Sequence, residues 1–253
     1  MHTIKLYHLG YYCPWCESTQ AFLQAYCARH HMPFSSVDIQ TQKAQVDGLV
    51  VFPFNTAVDG TIITGSPVFK SNVEDLFQCA RIHTQVEDKV LPNGTLDAAA
   101  LLSEDNINDS VSVCTDKALF NCRKKQWFTG NSNNIIGFIG YKNNSPTAIL
   151  ETMKSEACAF TGIIQNDYTA TILCCYSNPD DYDYKYDLLE KSIATIKARG
   201  MSELEAIVGE HSYYPNGTLQ QFEDYGFVRC KELGTTYLLH RGHDSLWLVK
   251  KTL

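Results

Sequence analysis

The 253-residue sequence predicts an α/β protein in two domains, a βα-β-ββα unit over 1–90 and a mixed sheet with flanking helices over 96–253. Three observations carry this. Short alternating or apolar runs are separated by stretches whose apolar residues recur at helical spacing. Two strand–strand pairs flank good turn sequences, Val58-Asp59-Gly60 and Asn143-Asn144. Between the two sets of elements, Val90-Leu91-Pro92-Asn93-Gly94 combines residues that end a helix and permit a turn, which marks a linker.

In the first unit, Ile4-Lys5-Leu6-Tyr7-His8 alternates as a short strand does. Phe22, Leu23 and Tyr26 then recur on one helix face, and Met32-Pro33-Phe34 breaks that pattern. A strand is expected over 34–39. Leu49 to Phe54 and Thr61 to Thr64 form the hairpin, and 68–86 closes the unit as a helix with Phe69, Val73, Leu76 and Phe77 on one face. In the second unit, 96–102 reads as a strand, and 104–114 (capped by Ser103) and 116–128 read as helices. Strands follow at 135–141, 147–153 and 168–177. An amphipathic helix over 188–199 is stopped by Gly200, and a strand is expected at 203–208. A short helix over 218–225 ends at a left-handed Gly226, and 235–240 finishes the sheet.

The strongest chemical signal is Cys13-Pro14-Trp15-Cys16, set between the first strand and the first helix. At a helix N-terminus the unpaired N–H groups and the macrodipole favour a thiolate, and thiols in such motifs titrate at roughly 3.5–7.5. Cys16, one turn on, is within reach to resolve a mixed disulfide at Cys13. The order βα-β-ββα with Cys-Pro-X-Cys after its first strand resembles the thioredoxin superfamily, closest to its small glutaredoxin-like members. That resemblance implies a redox dithiol, Cys13 and Cys16, faced by a cis-proline at Pro53. A proline inside a strand-like run otherwise demands an edge or a special bond.

The second unit, with Leu219-Gln220-Gln221-Phe222-Glu223-Asp224-Tyr225-Gly226-Phe227-Val228 near its end, resembles the GNAT family of N-acetyltransferases. Cys122-Arg123-Lys124-Lys125-Gln126-Trp127-Phe128 leading into Ile136 to Tyr141 resembles family members fused to thioredoxin-like domains. The resemblance implies acetyl-CoA as cofactor, its pantetheine arm held by backbone groups of Cys174, Cys175 and Tyr176. Its pyrophosphate would sit at the start of the following helix, on Lys185, Tyr186 and Asp187. The matching loop, 178–187, has no glycine, four aspartates and one lysine, whereas the family's loop is glycine-rich. The family's acid tyrosine falls at Phe222, leaving Tyr225, with Tyr213 and Tyr214 nearby, to protonate a leaving thiolate. Glu151, or Glu210 beside His211, is the expected general base.

Composition sets the frame. A net charge of −7 gives no footprint for nucleic acid, and no apolar run approaches the ~20 residues that cross a bilayer. Met1-His2-Thr3-Ile4-Lys5 lacks the layout of a signal peptide. Most of the ten cysteines sit in apolar or helical runs, which suits reduced thiols in a cytoplasmic protein; the Asn-X-Ser/Thr triplets at Asn93, Asn108 and Asn216 are then unmodified. No residues have metal-ligand spacing beyond two thiolates at Cys13 and Cys16. The expected function is acetyl transfer from acetyl-CoA to an amine of a small molecule or peptide, with a dithiol module that regulates it or handles a thiol substrate. The alternative is a thiol–disulfide oxidoreductase, with a redox partner, whose second domain only binds. A third reading makes the acidic loop (Asp180, Asp181, Asp183) a sensor for a cationic ligand.

Overall fold

The computed structural model describes residues 2–64, 67–78, 84–115, 123–178, 181–239 and 241–253. β1 (Ile4–His8) leads to Cys13 at the N-cap of α1 (Pro14–Arg29). Proline suits the first helical position, where its missing N–H has no partner to lose. β2 (Phe34–Asp38) runs parallel to β1, and β3 (Phe54–Val58) lies antiparallel on the other side of β1. Asp59 and Gly60, both at positive φ, turn the chain into β4 (Thr61–Thr64). The order β2-β1-β3-β4 follows the expected βα-β-ββ sequence of elements.

Two boundaries differ from expectation. The strand expected over 49–54 begins only at Phe54, because Pro53 has no N–H for the ladder; its carbonyl instead accepts the Leu9 N–H at 2.8 Å. The described part of the helix expected over 68–86 is α2 (Val73–Leu76); residues 79–83 lie outside the described residues, and Gln85 bridges to His243 as extended chain.

The second half begins with β5 (Ala98–Leu101), α3 (Ile107–Cys114) and α4 (Arg123–Asn131). Ser103 does not cap α3; Asn106 stands at that position and its side-chain oxygen accepts the Ser103 N–H. Of the helix expected over 116–128, residues 116–122 lie outside the described residues. β6 (Ile135–Lys142) and β7 (Ser145–Lys154) form the hairpin turned by Asn143 and Asn144 at positive φ. β8 (Thr169–Ser177), α5 (Lys185–Ala198) and β9 (Glu203–Gly209) follow, α5 starting one turn earlier than expected. Thr218 and Gln221 form a reciprocal capping box at α6 (Leu219–Asp224), and Gly226 takes φ 83° beyond it. β10 (Val228–Leu238) is longer than expected. β11 (Gly242–Thr252) is a further strand, inserted between β10 and β9.

All eleven strands join one sheet in the order β2-β1-β3-β4-β10-β11-β9-β8-β7-β6-β5. The link between the halves is the short parallel pairing of β4 with β10, Ile63 opposite Tyr237 and Thr64 opposite Leu238, braced by a 2.6 Å hydrogen bond between the Thr64 and Thr236 hydroxyls. One core packs α5 and α6 on the sheet through Leu188, Ile196, Leu204, Phe222 and Phe227. Another crosses the boundary: Tyr7, Leu9 and Ile39 pack with Ile107, Phe128 and Ile139. The sequence boundary near residue 90 is thus spanned by both a ladder and a core. Among the described residues no helix is long and apolar enough to cross a membrane.

Candidate functional site

β8 and β9 are paired in parallel only from Thr169–Glu203 to Thr171–Glu205, after which they diverge. Buried Glu205 closes the paired end, accepting hydrogen bonds from Thr171 (2.6 Å) and Ser155 (3.1 Å). Beyond it, a bulge at Leu173 breaks the β7–β8 register, so Glu151 faces Cys174 and Ile149 faces Tyr176. Cross-strand neighbours share a face, and all four of these side chains turn toward a cavity of about 430 Å³. Its opposite wall comes from the N-terminal half: Tyr12, Cys13, Trp15 and Pro53. The cavity therefore lies where the two halves meet.

At its base Glu151 and Lys124, both buried, form an ion pair with Nζ 2.8 and 3.0 Å from the two carboxylate oxygens. Burial alone would lower the Lys124 pKa, but the charge of Glu151 raises it overall, so the ammonium is held. The same ammonium lies 4.8 Å from the Tyr12 ring centroid. The Tyr12 hydroxyl, beside Glu151, is buried without a well-formed hydrogen bond.

Four cysteines from three elements line this cavity: Cys13 at the start of α1, Cys114 at the end of α3, and Cys174 and Cys175 on β8. Trp15 ties two of these elements together by donating its indole N–H to the Cys114 carbonyl at 3.2 Å. The expected thiolate at Cys13 is not what the surroundings favour. Burial pushes the Cys13 thiol up to about 11, outweighing the Trp15 and Cys16 N–H groups and the Lys124 charge. Cys16 is fully buried below the cavity, its thiol hydrogen-bonded toward the Gly10 carbonyl and likewise raised by burial. The eight described cysteines are free. From an ordinary value of 9, a shift to 11 lowers the thiolate fraction about 100-fold, partly offset by the greater nucleophilicity of a more basic thiolate. Iodoacetamide should therefore modify Cys13 about tenfold more slowly than a free thiol at pH 7. Modification faster than glutathione's would restore the dithiol expectation.

Pro53 lines the same wall of the cavity as Cys13, and the peptide bond before it is trans, not the expected cis; the cis bond among the described residues is Tyr214–Pro215. Glu151, Cys174, Cys175, Tyr176 and Lys185 all line the cavity. Tyr225 does not: it is buried in the α5–α6 core, its ring stacked 4.8 Å from Tyr186 and its hydroxyl near Asn93. Asp187 also points away, accepting the Leu96 N–H and Lys191. Glu210 and His211 stand outside the cavity lining. Tyr213 and Tyr214 enter it. Tyr213 donates to the Lys89 carbonyl and accepts the Leu91 N–H, whereas the Tyr214 hydroxyl makes no hydrogen bond to a described residue. Burial raises the Tyr214 pKa, so its proton is retained.

These contacts do not fit the site implied for acetyl-CoA. The Cys175 N–H that would receive the pantetheine arm already donates to Asn216 Oδ1 at 2.9 Å. The Asn216 amide in turn donates to the Ile207 carbonyl at 2.9 Å, so one buried side chain bridges the diverging strands. At the start of α5, where a pyrophosphate would sit, buried Asp183 accepts the Lys185 N–H at 2.9 Å. The sequence alone gives Asn216, Lys124 and Tyr12 no role at this site. Lys124 shares a helix face with Phe128, which is the signal that would have turned it inward.

Cys158 and Cys175 are each pushed up to about 12 by burial, from an ordinary 9. A thiol raised on folding stabilises fully below its unfolded pKa, and that stability is lost as pH climbs through the folded value. Relative to neutral pH, each can remove up to about 4 kcal/mol of stability once the pH exceeds the folded value. The urea midpoint should stay level from pH 7 to 8.5 and fall steadily from pH 9 to 11; a level midpoint at pH 11 would contradict this.

No protein-family model and no curated protein matches the chain. Among solved structures it is similar to a ribosomal-protein-alanine N-acetyltransferase from Brucella melitensis, at 14% identity over 62% of this chain and 99% of that one, TM-score 0.45. It is similar to the ribosomal-protein-S18-alanine N-acetyltransferase from Escherichia coli, at 15% identity over 61% and 92%, TM-score 0.45. An N-acetyltransferase from Staphylococcus aureus Mu50 aligns at 14% identity over 62% and 99%, TM-score 0.47. Likeness at these values assigns neither substrate nor mechanism, so the chemistry rests on this chain's own residues.

Proposed function

We propose that the chain is an acyltransferase of GNAT type with a thioredoxin-like N-terminal module, moving an acyl group from a thioester to an amine in the cavity where the two meet. The observation that carries this is the divergence of β8 from β9 onto a closed-ended cavity holding the Glu151–Lys124 pair and the Tyr214 phenol. The sheet order β5-β6-β7-β8-β9-β11-β10 supports the same reading of the second half, and β2-β1-β3-β4 that of the first. In the reaction the acyl carbon–sulfur bond breaks and a carbon–nitrogen bond forms. The amine gives up a proton, with Glu151 as acceptor and Lys124 holding that carboxylate in place. The leaving thiolate takes its proton from Tyr214, which burial keeps protonated.

The acceptor is an amine of a small molecule or peptide, and the aromatic wall of Trp15, Phe52 and Tyr176 favours an apolar group beside it. The N-terminal module supplies the far wall of the chamber, where neutral Cys13 contacts the acceptor. The free state of the described cysteines suits a reducing compartment such as the cytoplasm. The raised Cys13 thiol speaks against the dithiol-exchange alternative. The test is acetyl transfer from a thioester to a panel of amines, read by mass spectrometry on reduced protein. Tyr214→Phe should lower kcat about 100-fold with KM little changed. Undiminished turnover in that variant would remove Tyr214 from the chemistry.

A further inference from the structure

The anion-binding end of α5 is already filled by the chain itself. Asp183 Oδ1 accepts the Lys185 N–H at 2.9 Å and the Ser177 hydroxyl at 3.1 Å. Its Oδ2 accepts the Gln221 amide at 2.9 Å and lies 3.1 Å from Lys185 Nζ. Asp183, Lys185 and Gln221 are all buried, so this carboxylate is held from several sides in the place where a bound anion would profit from the helix end.

The linker seals the same place from outside. The Asp183 N–H donates to the Pro92 carbonyl at 2.9 Å, and the Asp183 carbonyl accepts the Gly94 N–H at 2.8 Å. Gly94 permits this approach, since a Cβ there would come within 2.5 Å of the Tyr184 ring and 2.8 Å of Tyr182. Lys89 and Leu91 are fastened to the Tyr213 hydroxyl, and Asp88 accepts the Tyr213 N–H at 2.7 Å. Asn216 meanwhile occupies the strand edge where a pantetheine arm would lie.

We infer that this chain has exchanged the diphosphate port of its scaffold for an internal clasp, Asp183 with linker residues 91–94, and that its acyl donor is a short thioester without a diphosphate. The inference rests on the transferase reading for its donor and on geometry alone for the closed port. A diphosphate would have to evict Asp183 and strip Lys185 and Gln221 of their partner. A short thioester meets none of these, because it enters the cavity directly beside Cys174 and Tyr176.

The test compares acetyl-CoA with S-acetyl-N-acetylcysteamine, which has the thioester and no diphosphate, on the intact reduced chain. Calorimetric titration of CoA accompanies it. The expected result is kcat/KM values within about threefold of each other and no heat from CoA at millimolar concentration. A preference for acetyl-CoA of about 30-fold or more, or CoA binding at micromolar concentration, overturns the closed port and leaves the transferase reading standing. Transfer from neither donor overturns the transferase reading, and the CoA titration then still decides the port: silence supports the clasp, binding refutes it. As a second arm, Asp183→Ser with Gly94→Ala loosens the clasp on both sides. If that variant keeps its near-UV dichroism, it should gain at least about tenfold in CoA affinity; no gain in a folded variant counts against the clasp as the cause.

Discussion

Lys124→Met is expected to destabilise the protein by about 3–5 kcal/mol, because it leaves the Glu151 carboxylate buried without its cation. The cost is that of a stranded charge and does not measure the worth of the pair. Lys124→Met combined with Glu151→Leu should recover most of the loss, to within about 1–2 kcal/mol of the parent, since apolar replacements of both partners remove the uncompensated charge. The neighbouring Tyr12 hydroxyl can turn a hydrogen bond toward Glu151 and soften the single change. Urea unfolding of the parent, the single and the double variant makes the comparison. A single variant within about 1 kcal/mol of the parent would mean that the carboxylate is hydrated, and the cavity wetter than its lining implies.

Asp183→Ala should cost a comparable amount, about 3–5 kcal/mol, for a related reason: it strands the buried Lys185 ammonium and leaves the Gln221 amide without an acceptor. The change also removes the acceptor for the Lys185 N–H at the start of α5. Asp183→Asn separates the parts. Its amide oxygen can still accept from the helix or from Gln221, while the charge opposite Lys185 is gone. An intermediate loss for Asp183→Asn, with Asp183→Ala well below it, is the expected order. Equal small losses in both would show that the clasp contributes little to folding.

Much of the local structure was legible because it depends on local chemistry. Cys13-Pro14-Trp15-Cys16 marks the passage from β1 to α1, Asp59-Gly60 and Asn143-Asn144 turn hairpins, and Gly226 ends α6. What escaped depends on pairing at a distance. β11 alternates through Leu246 and Leu248, yet its place between β10 and β9 follows from the ladder it completes. The β4–β10 contact is two residue pairs long, too short for any local pattern to mark.

The linker was recognised by Pro92, Asn93 and Gly94 as a break between elements. Its second role, as a strip clamped over α5, could not be read without knowing what lay beneath it. The site shows the same division. Cys13, Pro53, Glu151, Cys174 and Lys185 were picked out by motif or position and converge on one cavity. Tyr225 is a candidate only by its proximity to Phe222 in sequence, and the end of α6 turns it into the core instead. Asn216 read as the start of an Asn-Gly-Thr triplet; its buried amide is a bridge between strands.

The cavity as reaction chamber is tested most directly by filling it. Cys174 stands beside Glu151 on the sheet wall of the cavity, where β8 and β9 diverge. Transfer from S-acetyl-N-acetylcysteamine to the amine panel, measured for the parent and for Cys174→Trp alongside the thermal midpoint, separates chemistry from folding. Cys174→Trp is expected to lose turnover about 100-fold or more with its midpoint within a few degrees of the parent. Turnover equal to the parent's in a folded Cys174→Trp protein would place the chemistry outside this cavity.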